Sequence, residues 1–385
     1  MPSVLILGGR APVAADHARR FASQGWTVHV ADSIPCRMSG WSRAVRATIA
    51  LASPRFDPAA FIGGLSGAIR RHAIDLVVPT CEEVFYLSRY RQALPASCRV
   101  LADDFDKLRV LHSKWEFLQQ AASCGGLAPA SGLVHSIGQA REWANGAPVV
   151  LKPEFSRFGV HVRLYPEGIP AGAAALPDMG RWVVQHYRHG QELCSYHVAD
   201  RGRLVAHAVY LPKYRLNRSS SFYFVHHYSR RIADFAARFV AQQRFTGQIS
   251  FDWIDAGNDS PAVIECNPRA ISGVHLFAAA DPLPAALAGT AARLETPSTQ
   301  RARMIGPVMA SAGLVQALAQ GRVEQWRRDF QAADDVIGVT GDRAPLAGAT
   351  LDMGSYLLMS LRQRCTLREA ATRDIEWDGE ALTMP

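Results

Sequence analysis

The sequence predicts an α/β protein in which a parallel sheet with helices on its faces is followed by lobes of mixed α+β character. Three observations carry this. Short apolar runs alternate with helical segments over roughly the first hundred residues. Antiparallel hairpins with polar turns fill the middle of the chain. The 385 residues, 48% of them hydrophobic, are enough for more than one core.

Residues 4–7 read as a buried strand, 13–24 as a helix, 27–30 as a second strand, and 61–72 as a helix before a strand at 74–79. Gly8-Gly9-Arg10 follows the first strand, but Pro12 and Val13 occupy the later positions of a G-x-G-x-x-G fingerprint. A tight strand-to-helix turn therefore outweighs a dinucleotide site. The strand at 74–79 ends in Thr80-Cys81-Glu82-Glu83, where open parallel sheets place ligands. Glu82 is the expected ligand contact and Glu83 the expected cap.

Lys and Arg outnumber Asp and Glu by 42 to 34, a net charge of +8. The excess forms no runs. The doublets Arg19-Arg20, Arg70-Arg71, Arg230-Arg231 and Arg327-Arg328 read as solvated helix faces, so nucleic acid is excluded as the expected partner and small anions are favoured. No apolar stretch approaches the roughly 20 residues that span a bilayer. Seven scattered cysteines without a C-x-x-C pair indicate neither zinc site nor disulfide framework, and with a start that shows no basic leader the expected setting is a reducing cytoplasm.

Residues 103–120 form a charged helical stretch, closed by Cys124-Gly125-Gly126. The apolar strand 148–153 carries Lys152, and a buried unpaired ammonium is costly, so Lys152 requires an anionic partner. With the turn 154–160 and a strand starting at Val160, it makes a hairpin suited to clamping phosphate. Further strands fall at 181–187, 193–198 and 204–211, a helix at 229–243, and a last hairpin at 247–254 and 262–267. Alternation puts Gln248, Ser250 and Asp252 on one face of that hairpin, and Glu265 and Asn267 on a common face of the partner strand. Two carboxylates and an amide oxygen suit Mg2+, which leaves its other positions to phosphate and water. With no cation between them the carboxylates repel, or one keeps its proton.

The order Lys114, Lys152, a short loop, Gln185-His186-Tyr187, Glu192, Asp252 and Glu265-Cys266-Asn267-Pro268-Arg269 resembles the ATP-grasp superfamily, especially its biotin carboxylase and carbamoyl-phosphate synthetase branch, over about residues 4–277. The resemblance implies an ATP-grasp fold with a Rossmann-like N-terminal domain at 1–110. A small lid lobe would occupy 111–188, a large lobe with the Mg2+ site 189–295, and an extension 296–385. Ser113-Lys114-Trp115-Glu116-Phe117 is similar to the family's D-K-x-x-F, and 148–153 to its P-x-x-x-K-P strand, which makes Lys114 and Lys152 contacts of ATP. Gln185, His186 and Tyr187 would be the hinge facing adenine, and Glu192 the carboxylate on the ribose. Asp252, Glu265 and Asn267 would hold Mg2+, with Mn2+ as an alternative, and Arg269 would act with Lys152 on the transferred phosphoryl group. The family's mobile loop is glycine-rich, whereas this one has Gly159 alone; Ser156 and Arg157 are expected to supply part of the cradle.

The activity implied is that of a stand-alone ATP- and Mg2+-dependent ligase. It would activate a small carboxylic acid as an acyl phosphate and join it to an amine, releasing ADP and phosphate. A kinase or a non-catalytic nucleotide-binding regulator on the same fold are alternatives, and a nicotinamide oxidoreductase based on Gly8-Gly9 is the weakest. On the substrate side, Glu82 could hold an ammonium group and Arg218, in the polar stretch with Arg215, a carboxylate. Residues 296–385, with helical patterns at 314–328 and 356–364, would complete the substrate cavity or a homodimer contact. Neither nucleic acid nor membrane is an expected partner.

Overall fold

The computed structural model describes residues 1–157, 159, 161–216, 220–257 and 260–382. Strands β1 (Ser3–Leu7), β2 (Thr27–Asp32), β3 (Ala47–Ala50), β4 (Leu76–Val78) and β5 (Arg99–Val100) form a five-stranded sheet in the order β3-β2-β1-β4-β5, every pairing parallel. The central β1 is buried along its whole length, as a parallel strand covered on both faces must be. Helices α1 (Pro12–Ser23), α2 (Pro58–His72) and α3 (Glu83–Arg89) flank the sheet. Gly8 sits at φ +74°, and a Cβ there would come within 2.3 Å of Thr80 Oγ1. The crevice between β1 and β4 is thus filled by Thr80 and Cys81, and the glycine pair serves the turn.

The charged stretch at 103–120 is two helices, α4 (Phe105–His112) and α5 (Lys114–Ser123). They break at Ser113, whose Oγ accepts the Glu116 N–H at 3.0 Å and so caps α5. A four-stranded antiparallel sheet follows, made of β6 (Ser131–Val134), β7 (Val149–Pro153), β8 (Arg163–Tyr165) and β9 (Trp182–His186), with α6 (Ile137–Ala144) between β6 and β7. Its order is β6-β9-β7-β8, and its own core gathers Val134, Ala140, Val149, Leu151, Trp182 and Val184.

The large sheet runs β16-β15-β10-β11-β14-β17-β18. Its strands are β10 (Gln191–Asp200), β11 (Arg203–Pro212), β14 (Tyr223–His227), β15 (Gly247–Asp255), β16 (Pro261–Asn267), β17 (Ala302–Met304) and β18 (Ala333–Asp335), while β12 (Arg215–Leu216) and β13 (Ser220–Ser221) pair separately. Helix α7 (Arg230–Gln243) is capped by Ser229 Oγ, 3.3 Å from the Ile232 N–H. It buries Ile232, Phe235, Ala236, Phe239 and Val240, the stripe that a 3.6-residue period puts on one face. The sheet continues past residue 295 through β17 and β18. The helical pattern at 314–328 is two helices, Leu314–Ala319 and Val323–Ala332, and that at 356–364 is the end of a helix spanning Ala344–Gln363. That helix lies against the turn after β2, where Asp352 Oδ2 accepts the Met38 N–H at 2.7 Å. Arg19 and Arg20 are not solvated: Arg19 pairs with Asp342 at 2.7 Å, and the buried Arg20 donates to the carbonyls of Phe277, at 2.6 Å, and Ala278. No helix among the described residues is long and apolar enough to cross a membrane.

Several histidines are buried where charging is opposed. His207 Nδ1 lies 3.1 Å from His197 Nδ1; burial, then the charge of His226, lowers His207 to about 4. Burial, then Arg20, lowers His17 to about 3. The unfolded chain binds these protons near 6.5 and the folded chain does not. Stability is therefore fully present at neutral pH and falls as pH drops from about 6.5 toward 4, by about 2 kcal/mol at pH 5 for His207 alone. Urea midpoints at pH 7 and pH 5 check this, and His207→Gln should flatten the difference.

Candidate functional site

The hairpin of β15 and β16 builds the centre of the site. Asp252 pairs in register with Glu265, and Ser250 with Asn267, with a bulge after Asp252. Asn267 Nδ2 donates to Asp252 Oδ2 at 3.3 Å, and its Oδ1 accepts from Arg269 Nη2 at 3.3 Å. Ser250 Oγ donates to the Arg269 carbonyl at 2.9 Å, which fixes the chain as it leaves the strand. Cys266 points the other way into the core and is 1% exposed.

Two lysines face these acids. Lys114, at the start of α5, is 3.4 Å from Glu265 Oε1 and donates to the Ser156 carbonyl. Lys152, on β7, donates to the Ile264 carbonyl at 3.2 Å. Burial lowers Lys152 to about 8, against the opposing pull of Glu265. Burial, then the neighbouring Glu265 charge, raises Asp252 to about 6. Two half-buried carboxylates facing each other, beside an amide, form a donor set that a hard divalent cation would relieve. Among the described residues no group of three or more His, Cys, Asp or Glu side chains is placed to hold a metal, so a cation here would take most of its ligands from elsewhere, as Mg2+ does from phosphate and water.

The link between the antiparallel sheets runs through the expected hinge, since β9 ends at His186 and β10 begins at Gln191. The His186 and Tyr187 N–H groups are spent on the carbonyls of Ala130 and Pro148, both at 2.9 Å. Gln185 is buried, with Nε2 donating to Ser131 Oγ at 3.1 Å, while His186 lies against Trp143. Glu192 is paired with Arg215. Arg157, expected to help cradle phosphate, is 6% exposed, and its guanidinium faces Glu82, Glu376 and Asp378. Glu82 likewise faces Arg157, the Trp377 N–H at 3.3 Å and Arg269 at 3.7 Å. Glu83 caps backbone, its Oε1 accepting the Thr80 and Cys81 N–H groups at 2.8 and 3.0 Å. Arg218 lies outside the described residues.

Two contributors are not among the residues expected from the sequence. Glu154, 3% exposed, takes Arg181 at 2.8 Å and Ser113 Oγ at 2.6 Å, and so ties the end of β7 to the cap of α5. The C-terminal residues Glu376, Trp377 and Asp378 close on Arg157 and Glu82; their signal in the sequence is the alternation Asp374-Ile375-Glu376-Trp377-Asp378-Gly379-Glu380.

A parallel N-terminal sheet, a four-stranded antiparallel lobe and a seven-stranded lobe whose β15–β16 edge carries the carboxylates make up an ATP-grasp fold, and solved structures share it. N5-carboxyaminoimidazole synthetase from Staphylococcus aureus matches with a TM-score of 0.61 at 14% identity, over 83% of this chain and 86% of that one. The biotin carboxylase domain dimer of Hydrogenobacter thermophilus 2-oxoglutarate carboxylase, solved with MgADP, ADP and bicarbonate, matches at 0.59 and 11% identity, over 76% and 70%. L-amino acid ligase from Bacillus licheniformis matches at 0.51 and 14% identity, over 71% and 68%. No family model and no curated protein sequence matches the chain.

Proposed function

We propose that the protein is an ATP- and Mg2+-dependent carboxylate–amine ligase that releases ADP and phosphate. The observation that carries this reading is the meeting of Asp252, Glu265, Asn267 and Arg269 with Lys114 and Lys152. Fold neighbours that include a ligase, a synthetase and a carboxylase domain solved with MgADP support it.

In this reading Asp252, Glu265 and Asn267 would hold Mg2+, which would supply charge neutralisation to the phosphates of ATP. Lys152 and Lys114 stand across from them to take phosphate oxygens. Arg269, two residues after Asn267, offers its fork to the transferred phosphoryl group. The carboxylate substrate attacks the γ-phosphorus and ADP leaves; the amine then attacks the acyl carbon and phosphate leaves. Positioning and charge neutralisation carry the rate, and no protein nucleophile is needed. Adenine would enter beside the link from Gln185 to Tyr187, with Glu192 turned from Arg215 to the ribose. Ser156 would act through its carbonyl on Lys114. The lobes would follow the limits 1–110, 111–188 and 189–295, and the setting would be cytoplasmic with small-molecule substrates.

A screen for Mg2+-dependent ADP release over paired carboxylate and amine pools tests this. ADP release that requires both a carboxylate and an amine is the expected result. Release with hydroxyl compounds alone would make the protein a kinase.

A further inference from the structure

The end of the chain places an acid at every second position, Asp374, Glu376, Asp378 and Glu380, with Ile375 and Trp377 between them. Both sets find partners. Trp377, 1% exposed, lies among Phe85, Phe105, Phe155 and His112, with ring centroids 4.9, 5.4, 5.3 and 6.0 Å away. Asp374 takes both terminal nitrogens of Arg10 at 2.6 Å. Asp378 Oδ2 takes Arg55 at 2.9 Å. Glu376 and Asp378 each take Arg157 at 2.8 Å.

Arg157 links this segment to the centre of the site. It sits just beyond β7, and its neighbours on either side of the contact are held too. Phe155 packs on Trp377, while Gly379, at φ +90°, approaches so closely that a Cβ would lie 2.5 Å from the Phe155 ring. Between them the Ser156 carbonyl accepts from Lys114, whose Nζ is 3.4 Å from Glu265. Contacts thus run without a gap from Glu376 and Asp378 through Arg157, Ser156 and Lys114 to Glu265.

We propose that the C-terminal residues 376–378 position the nucleotide site, with Glu376 and Asp378 fixing Arg157 so that the adjacent Ser156 carbonyl holds Lys114 opposite Glu265. The inference rests on the reading of that site as one for Mg-nucleotide. Glu376 and Asp378 are positioning residues in it, since both act through Arg157.

The test measures Mg-ADP affinity by calorimetry, and amide exchange at 154–157 without nucleotide, in the full chain. Glu376→Gln loses the ion pair to Arg157 Nε, and the double variant Glu376→Gln/Asp378→Asn also the charge that accepts the hydrogen bond from Arg157 Nη2, so affinity should fall about tenfold and exchange should quicken. Glu376→Asp, which keeps the charge, should recover most of both. Asp374→Asn, which loosens the same segment at Arg10 without touching Arg157, should change neither by more than about twofold. Unchanged affinity and exchange in the Glu376 variants, or an equal loss in Asp374→Asn, would overturn the proposal. A wild type that takes up no Mg-ADP would sink the functional reading instead, and exchange at 154–157 would still decide whether the segment pins the loop.

Discussion

Glu265→Ala is expected to cut Mg2+-dependent ADP release by at least about 10²–10³-fold, the scale seen when one charge-stabilising group is taken from a transition state. Its effect on the fold should be small because two consequences oppose each other. Removing Glu265 relieves Asp252, whose proton affinity its charge helps to raise. It also takes the facing anion from Lys114 and Lys152, which are 2% and 5% exposed. The thermal midpoint should therefore move by no more than a few degrees, about what 1 kcal/mol does in a chain of this size. A coupled ADP assay and a thermal melt on the same preparation check both halves. Unchanged turnover would mean that Glu265 holds no catalytic cation.

Trp377→Ala should have the largest effect on stability, about 3–5 kcal/mol, as expected when a fully buried large aromatic side chain is truncated. The indole fills the space among Phe85, Phe105, His112 and Phe155 and donates from Nε1 to the Glu380 carbonyl at 2.8 Å. Its loss leaves a cavity where α3, α4 and the loop after β7 meet. Trp377→Phe, which keeps most of the apolar volume, should cost far less. Urea midpoints of the three proteins give the ranking, and equal midpoints for Ala and Trp would contradict the packing described.

The sequence made the fold legible where hydrophobic periodicity was unbroken and local. The apolar run Val4–Leu7 falls within β1, and the alternation from Gln248 to Asp252 places those side chains on the β15 face that meets Asn267 and Arg269. β3 gave no such signal, because its four residues are half-exposed or exposed and its pairing with β2 supplies most of its definition. Charge was legible only as composition. Arg19 and Arg20 look solvated in a helical doublet, yet their partners, Asp342 and the carbonyls of 277–278, lie hundreds of residues away. The same holds for Arg157. A Ser-Arg pair in a turn reads as a phosphate contact, and nothing near it in the chain announces that Glu376 and Asp378 will take the guanidinium. The alternation of acids at the C-terminus was visible, but only the fold shows which arginines it meets.

The reaction is tested most directly by trapping its activated intermediate. In the presence of Mg-ATP, a pool of small carboxylic acids and hydroxylamine, the protein should yield hydroxamate in step with ADP, and chelating the Mg2+ should stop both. ADP formed from every active carboxylate pool without any hydroxamate would contradict ligation through an acyl phosphate.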